Sequence, residues 1–231
     1  MREPFQEWMS LVQVALSHQV DISGFHSEAT RLLAQQVPPE TVHWCPAPAQ
    51  AVEEEDLDVR RAAIRNRAAR AIIPQSFIRM SELVVLHRDP RRFDLLYRSL
   101  WRLVYEPDLK NDFGDADLSR LRQMAQAVRR DIQKMKARLE FRSLTVLGET
   151  VAIAWYEPAH FVAETVGAWF AKRNPVARWI LLTPDRSLRW DGTHLLSAPA
   201  LAPMADGQAM TDEDRARALE ALPWLWRTLP G

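Results

Sequence analysis

The chain has 231 residues, and its 30 Lys and Arg offset 30 Asp and Glu, so attraction to a polyanion must come from where charge lies. At 47% hydrophobic and 26% charged, the composition is ordinary for a soluble globular protein long enough to bury a substantial core. Seven glycines and the single Cys45 exclude phosphate-cradling glycine motifs, an internal disulfide and cysteine-rich zinc or iron–sulfur sites.

In chain order, residues 11–16 predict a short strand. Asp21 or Ser23 is placed to cap a helix carrying Phe25, Ala29, Leu32 and Leu33, which should stop before Pro38 and Pro39. Residues 41–44 return as a second strand, giving a β-α-β unit over residues 1–45. Residues 46–75 change character: an acidic run at 53–56 precedes Arg60, Arg61, Arg65, Arg67 and Arg70. That order suits a helix dipole and predicts a charged linker helix ending at Pro74.

Residues 77–87 and 91–106 predict two further helices. The second places Phe93, Leu96, Tyr97, Leu100, Trp101, Leu103 and Val104 on one side and Arg98, Arg102 and Glu106 on the other. Arg91 and Arg92 stand at its start, where cations are unfavourable on dipole grounds, which points to a partner-facing role together with Arg98 and Arg102.

The most informative stretch lies within residues 120–142. Leu121, Met124, Ala125, Val128, Ile132, Met135 and Leu139 fall on one arc of a helical wheel, the signature of a helix docked on a core. Arg122, Arg129 and Lys136 recur along one border, and Arg130, Lys134 and Arg138 lie on the outer face. Such a cationic excess on one element of a neutral protein presents a local positive field to an anionic partner.

The pattern then switches to strands. Residues 139–147 and 151–156 predict a hairpin, and residues 158–172 a helix that starts at Pro158 and buries Val162, Val166, Trp169 and Phe170. Residues 178–183 and 187–190 pair around Pro184 and Asp185, with Asp191 and Gly192 as a turn before residues 194–196. Residues 198–208 read as irregular, and a helix from Asp212 and a tail at 222–229 close the chain. The whole predicts one α+β domain over residues 1–231, a mixed, mainly antiparallel sheet covered by amphipathic helices, with residues 76–231 as its body. Trp155 and Trp179 are expected on neighbouring strands, with the apolar stripe of the basic helix packed on that sheet.

These segments are similar to a known family. DISGFHSEATRLLAQQVPPETVHW, FDLLYRSLWRL, RRDIQKMKARLEFR, AWYEPAHF, WILLTPDRSLRWDG and WRTLP resemble, in order, a bacterial domain family of unknown function labelled as DNA metabolism proteins. The resemblance spans most of residues 20–195. Members of that family occur fused to uracil-DNA glycosylase-like proteins of the UdgX type or linked with a radical-SAM DNA repair protein. The resemblance therefore implies a role beside such an enzyme. It also marks a departure, because the family's D-x-H-K-M portion carries histidine where this chain has Gln133, and again at Lys136. If those histidines serve catalysis, this chain is a binding-only member, expected to show no glycosylase, nuclease or nucleotide hydrolase turnover alone.

Four residues are candidates for acid–base chemistry. Asp131 sits among Arg129, Arg130, Lys134 and Lys136, where an intrahelical charge partner is the commoner role. Glu157 and His160, three apart, could share a proton or a metal, although helix-start physics also favours Glu there, and no third ligand is spaced nearby. Asp185 occupies a turn, a position that Asp prefers after Pro. The expectation is weak, non-specific DNA binding through Arg122, Arg129, Arg130, Lys134, Lys136 and Arg138, with no metal and no cofactor. An enzyme using the four acid–base candidates is the alternative, and a docking surface for an acidic protein is the second. No apolar run reaches the roughly 18 residues of a membrane span, and Glu3 and Glu7 are unlike a secretory leader, so the chain is expected in the cytoplasm.

Overall fold

The computed structural model describes residues 11–48, 55–56, 74–106, 108–109, 112, 114–146 and 149–200. It is an α+β protein. Strand β1 (Val12–Leu16), helix α1 (Ile22–Ala34) and strand β2 (Val42–Pro46) form the β-α-β unit that the sequence predicts, and β1 and β2 pair in parallel, with Val14 opposite Trp44. Asp21 caps α1, accepting from the Gly24 amide at 2.7 Å and from the Ser17 amide and hydroxyl. A Cβ at Gly24 would stand 2.3 Å from an Asp21 oxygen, so the cap needs glycine there. The helix ends with Gln36 in the left-handed region (φ 53°), where the Gln36 and Val37 amides donate to the Leu33 and Leu32 carbonyls.

The charged segment corrects the linker-helix expectation in part. Glu55–Asp56 is a strand, β3, that pairs antiparallel with a strand near the end of the described chain; the basic residues 60–70 lie outside the described residues. Helix α2 (Gln75–Val84) stops earlier than expected, and helix α3 (Arg92–Tyr105) follows a tight turn. Helix α4 (Ala116–Arg138), 23 residues and about 34 Å long, is capped by Asp115 through the Leu118 amide.

Strands β4 (Arg142–Val146) and β5 (Glu149–Trp155) make the expected hairpin. Helix α5 (Ala163–Arg173) crosses over to β6 (Trp179–Leu182), which runs parallel to β5, so the strands of Trp155 and Trp179 are indeed neighbours. Strands β7 (Arg186–Trp190) and β8 (Leu195–Pro199) continue antiparallel, and β8 extends into residues expected to be irregular. The large sheet has the order β3-β8-β7-β6-β5-β4. A Cβ on Gly167 would lie 2.6 Å from a Leu188 methyl, so α5 reaches β7 only because that residue is glycine. The predicted C-terminal helix and tail lie outside the described residues.

Two hydrophobic clusters fill the interior, and α4 belongs to both. Leu121, Met124 and Ala125 join Phe25, Trp44, Phe93 and Tyr97, whereas Val128, Ile132 and Met135 join Ala154, Trp179, Leu181 and Leu188. The apolar stripe thus packs on the sheet with its second half alone, a correction to the expectation that all of it would.

Candidate nucleic-acid interface and the imidazole cluster

Helix α4 keeps its polar arc in water because the apolar residues recur every three or four positions and leave the remaining side bare. Arg122, Arg129, Arg130, Lys134 and Arg138 are exposed on that side. Among the described residues, no carboxylate lies within salt-bridge distance of any of the five. Lys136 differs: it is half-buried, with its ammonium 4.7 Å from the centre of the Trp169 ring, which Arg173 also faces at 5.8 Å. Trp169 is half-buried between them rather than a core residue.

The cations of α3 correct the sequence reading. Arg98 holds Asp117 in a bidentate pair (2.6 and 2.8 Å), and Arg102 pairs with Asp115 at 2.8 Å and with Glu106. Those carboxylates cancel both charges, so they add nothing to a positive surface. Arg92 is 1% exposed and donates to the carbonyls of Val85, Asp89 and Gln19. Its position at a helix start reflects this internal stapling, since only an Arg fork reaches three carbonyls from one site. Burial pulls its guanidinium down to about 10, with Asp89 opposing, and it stays charged at neutral pH. Arg91 alone of the pair is exposed.

The four acid–base candidates are only partly brought together. Asp131 is 6% exposed and accepts from the backbone amide of His160 at 2.9 Å, in place of the surface ion pairing its neighbours suggested. Residues 157–162 form a loop, and α5 begins only at Ala163. The predicted start at Pro158 fails because the loop is pinned from outside: Phe161 donates to the Leu86 carbonyl, and Arg88 donates to the Ala159 and Pro158 carbonyls. Glu157 is exposed on this loop and makes no described polar contact. Asp185 is held by Arg88 in a bidentate pair (3.0 and 2.5 Å). It lines a cleft with Gln19, Val20, Phe161, Ala163, Glu164 and Arg186, about 30 Å³ in volume, room for roughly two waters. Neither Asp131 nor Glu157 lines that cleft.

Nothing in the local residue pattern singles out His87 or Arg88, yet both stand at the junction. The His87 and His160 rings pack with centroids 4.3 Å apart, tilted by 32°. His87 accepts through Nδ1 from the Asp89 amide at 3.1 Å, and His160 through Nδ1 from the Arg88 amide at 3.4 Å. With Nδ1 an acceptor in both, the neutral rings carry their proton on Nε2. Burial lowers the pKa of each. For His87 the neighbouring His160 and the cations Arg120 and Arg92 reinforce burial against Asp89; for His160, Arg88 reinforces it against Asp131. Both are therefore neutral near pH 7. Tyr156, raised by burial and by Asp131, stands beside the same carboxylate. Among the described residues there is no cluster of three metal-ligating side chains.

A family model described as a domain of unknown function, DUF4130, matches residues 90–221, more than half of the chain. The chain belongs to the DUF4130 family. The match takes in α3, α4, the hairpin, α5 and strands β6–β8, hence Asp131, His160 and Asp185, and leaves out His87 and Arg88. No curated protein and no solved structure matches the chain. Among the described residues, no helix is long and apolar enough to cross a membrane.

Proposed function

We propose that this DUF4130 protein is a cytoplasmic, non-catalytic module that binds nucleic acid through the outer face of α4 and acts beside a DNA-repair enzyme. The observation that carries the reading is the set of five exposed cations, Arg122, Arg129, Arg130, Lys134 and Arg138, with no carboxylate set against them among the described residues. From Arg122 to Arg138 the helix rises about 24 Å, roughly seven base-pair steps of a duplex. Lys and Arg on such a face contact phosphates, which gives affinity with little sequence discrimination. The partner enzyme is the glycosylase-like or radical-SAM repair protein that the family resemblance implies.

Fluorescence anisotropy with single- and double-stranded oligonucleotides tests the reading. Binding should weaken steeply with salt, and replacing Arg130 and Lys134 by Gln should flatten the log–log salt slope by roughly two units. Absence of binding at low salt, or binding indifferent to those substitutions, removes the proposal.

One observation favours an enzyme as the second reading: Asp131, His160 and His87 do gather at one place. Incubation with uracil-containing and normal DNA, with and without divalent metals, decides between the two. We expect no turnover, and turnover lost in Asp131→Asn would make the chain an enzyme.

A further inference from the structure

We propose that the His87–His160 pair is a binding site for a phosphate oxyanion, contributed by a nucleic-acid strand or by a free nucleotide. The proposal rests on the nucleic-acid reading for the strand as its source and stands on separate residues. Both Nδ1 atoms are occupied by consecutive backbone amides, those of Arg88 and Asp89, which holds the two rings next to each other, centroids 4.3 Å apart and tilted by 32°. Each neutral ring then turns an Nε2–H donor away from the backbone, and among the described residues no oxygen accepts from either. Two such donors on adjacent rings match a ligand with two acceptor oxygens on one centre, which is the chemistry of a phosphate.

The cations near the pair, Arg88, Arg92 and Arg120, are matched by Asp185, Asp89 and Asp131, so a phosphate would be held here by the two N–H donors rather than by net charge. Arg120 and Arg92 act on His87 and Arg88 acts on His160, and Arg120 lies beside the pair through its contact with Asp89. The three carboxylates at the site are already engaged, Asp185 by Arg88. Asp89 accepts from the Arg91 amide and from Arg120, and Asp131 accepts from the His160 amide. Arg120, Asp131, Lys134 and Arg138 also fall within about 60° of one another on the α4 wheel. The imidazole pair therefore borders the cationic face, with Arg120 toward one end of the helix and Lys134 and Arg138 toward the other. Tyr156, within electrostatic reach of both Asp131 and Arg138, continues the same strip. A strand following the outer face of α4 would meet the two Nε2–H groups partway along.

The test uses the full chain labelled with nitrogen-15. Long-range proton–nitrogen correlation should show the Nε2–H tautomer at both histidines at pH 7. Titration with inorganic phosphate, against chloride of matched ionic strength, should shift both Nε2 signals saturably, and an adenosine monophosphate arm and an oligonucleotide arm should shift the same signals. His87→Ala and His160→Ala should each weaken phosphate binding about tenfold, whereas Gln at either position, which keeps a side-chain N–H, should restore most of it. An Nδ1–H tautomer, shifts no larger than those from chloride, or affinity unchanged in both Ala variants overturns the proposal; should the Ala variants not fold, the wild-type titration decides alone. Oligonucleotide binding that weakens with Arg130→Gln and Lys134→Gln but leaves both Nε2 signals in place defeats this site and leaves the α4 reading intact. Phosphate and nucleotide binding here without oligonucleotide binding supports the site with the free nucleotide as its ligand and defeats the α4 reading instead.

Discussion

Around α1, α2 and α3 the interior is closed by rings. Phe25, Trp44, Phe93 and Tyr97 stand 4.9–6.2 Å apart; Tyr97 donates to the Val37 carbonyl and His26 pairs with Ser81, while the Trp44 indole N–H is buried without a partner among the described residues. Charge is taken inside in both regions, as Arg92 against backbone carbonyls in the first and as an ion pair beyond the midpoint of α4. Arg186 and Glu164 face each other at 3.5 Å with side chains 10% and 13% exposed, and Ser197 donates to the same Glu164 oxygen. The first region is a self-sufficient support. The second leaves charged groups next to the seam between the two, where loops from both regions meet. A seam of that kind carries long-range polar contacts that neither cluster requires for its own packing, and the imidazole pair is built from one residue of each region.

The largest expected effect falls on the first region, where it borders the seam. Arg92→Met removes donors to three carbonyls and should cost about 3–5 kcal/mol in a denaturant melt, by the price of buried groups left without partners. A loss below about 1 kcal/mol would mean that the loop of Gln19 and the turn between α2 and α3 are held together without it. Next come the two halves of the α4 stripe. Leu121→Ala and Met135→Ala, both at positions fully buried, should each cost about 2–5 kcal/mol and shift a single transition. Two resolved transitions, each answering to one substitution, would divide the molecule into independently folding units. Ile132→Ala, at 8% exposure, should fall in the lower part of that range.

The pH dependence probes the seam more gently. His87, His160 and His26 all have folded pKa values below their ordinary one, so the unfolded chain binds more protons as pH falls through about 6.5. Stability should therefore decline from pH 7 toward pH 5, and it should decline less in His160→Gln. An equal slope in that variant would assign the effect to His26 and His87. A smaller effect of opposite sign is expected at Gln36. Glycine there should stabilise by about 0.5–1 kcal/mol, because it adopts the left-handed conformation without a Cβ penalty. Smallest of all, Arg129→Gln and Arg130→Gln should change stability by less than about 0.5 kcal/mol, since neither cation has an internal partner among the described residues.

Much of the fold was legible because it is written in local periods and caps. The α4 stripe, the Asp21 cap, the β4–β5 hairpin and the turn at Asp185 each depend on residues within a few positions of one another. What escaped depends on partners far along the chain. The helix expected from Pro158 is a loop because Leu86, Arg88 and Asp131 claim its backbone groups, and no spacing within residues 157–172 reveals those three. Arg98 and Arg102 have outward-looking patterns on a wheel and Arg92 borders the apolar arc, yet carboxylates at 115 and 117 and carbonyls at 19, 85 and 89 absorb them. Of the candidate site, Asp131 and His160 were visible as residue types and their contact was not. His87 was invisible because a lone histidine after a helix carries no local signal.

The pairing of β3 with β8 has a consequence for how the protein is made. Glu55 lies opposite Ser197, so the two strands leave the ribosome about 7–28 s apart at roughly 5–20 residues per second. The early strand is the short, doubly acidic one, a poor template for stray pairing while it waits. The late strand, rich in apolar residues, can be covered as soon as it emerges. The order of synthesis thus exposes the harmless edge for the long interval and the adhesive one for the short interval.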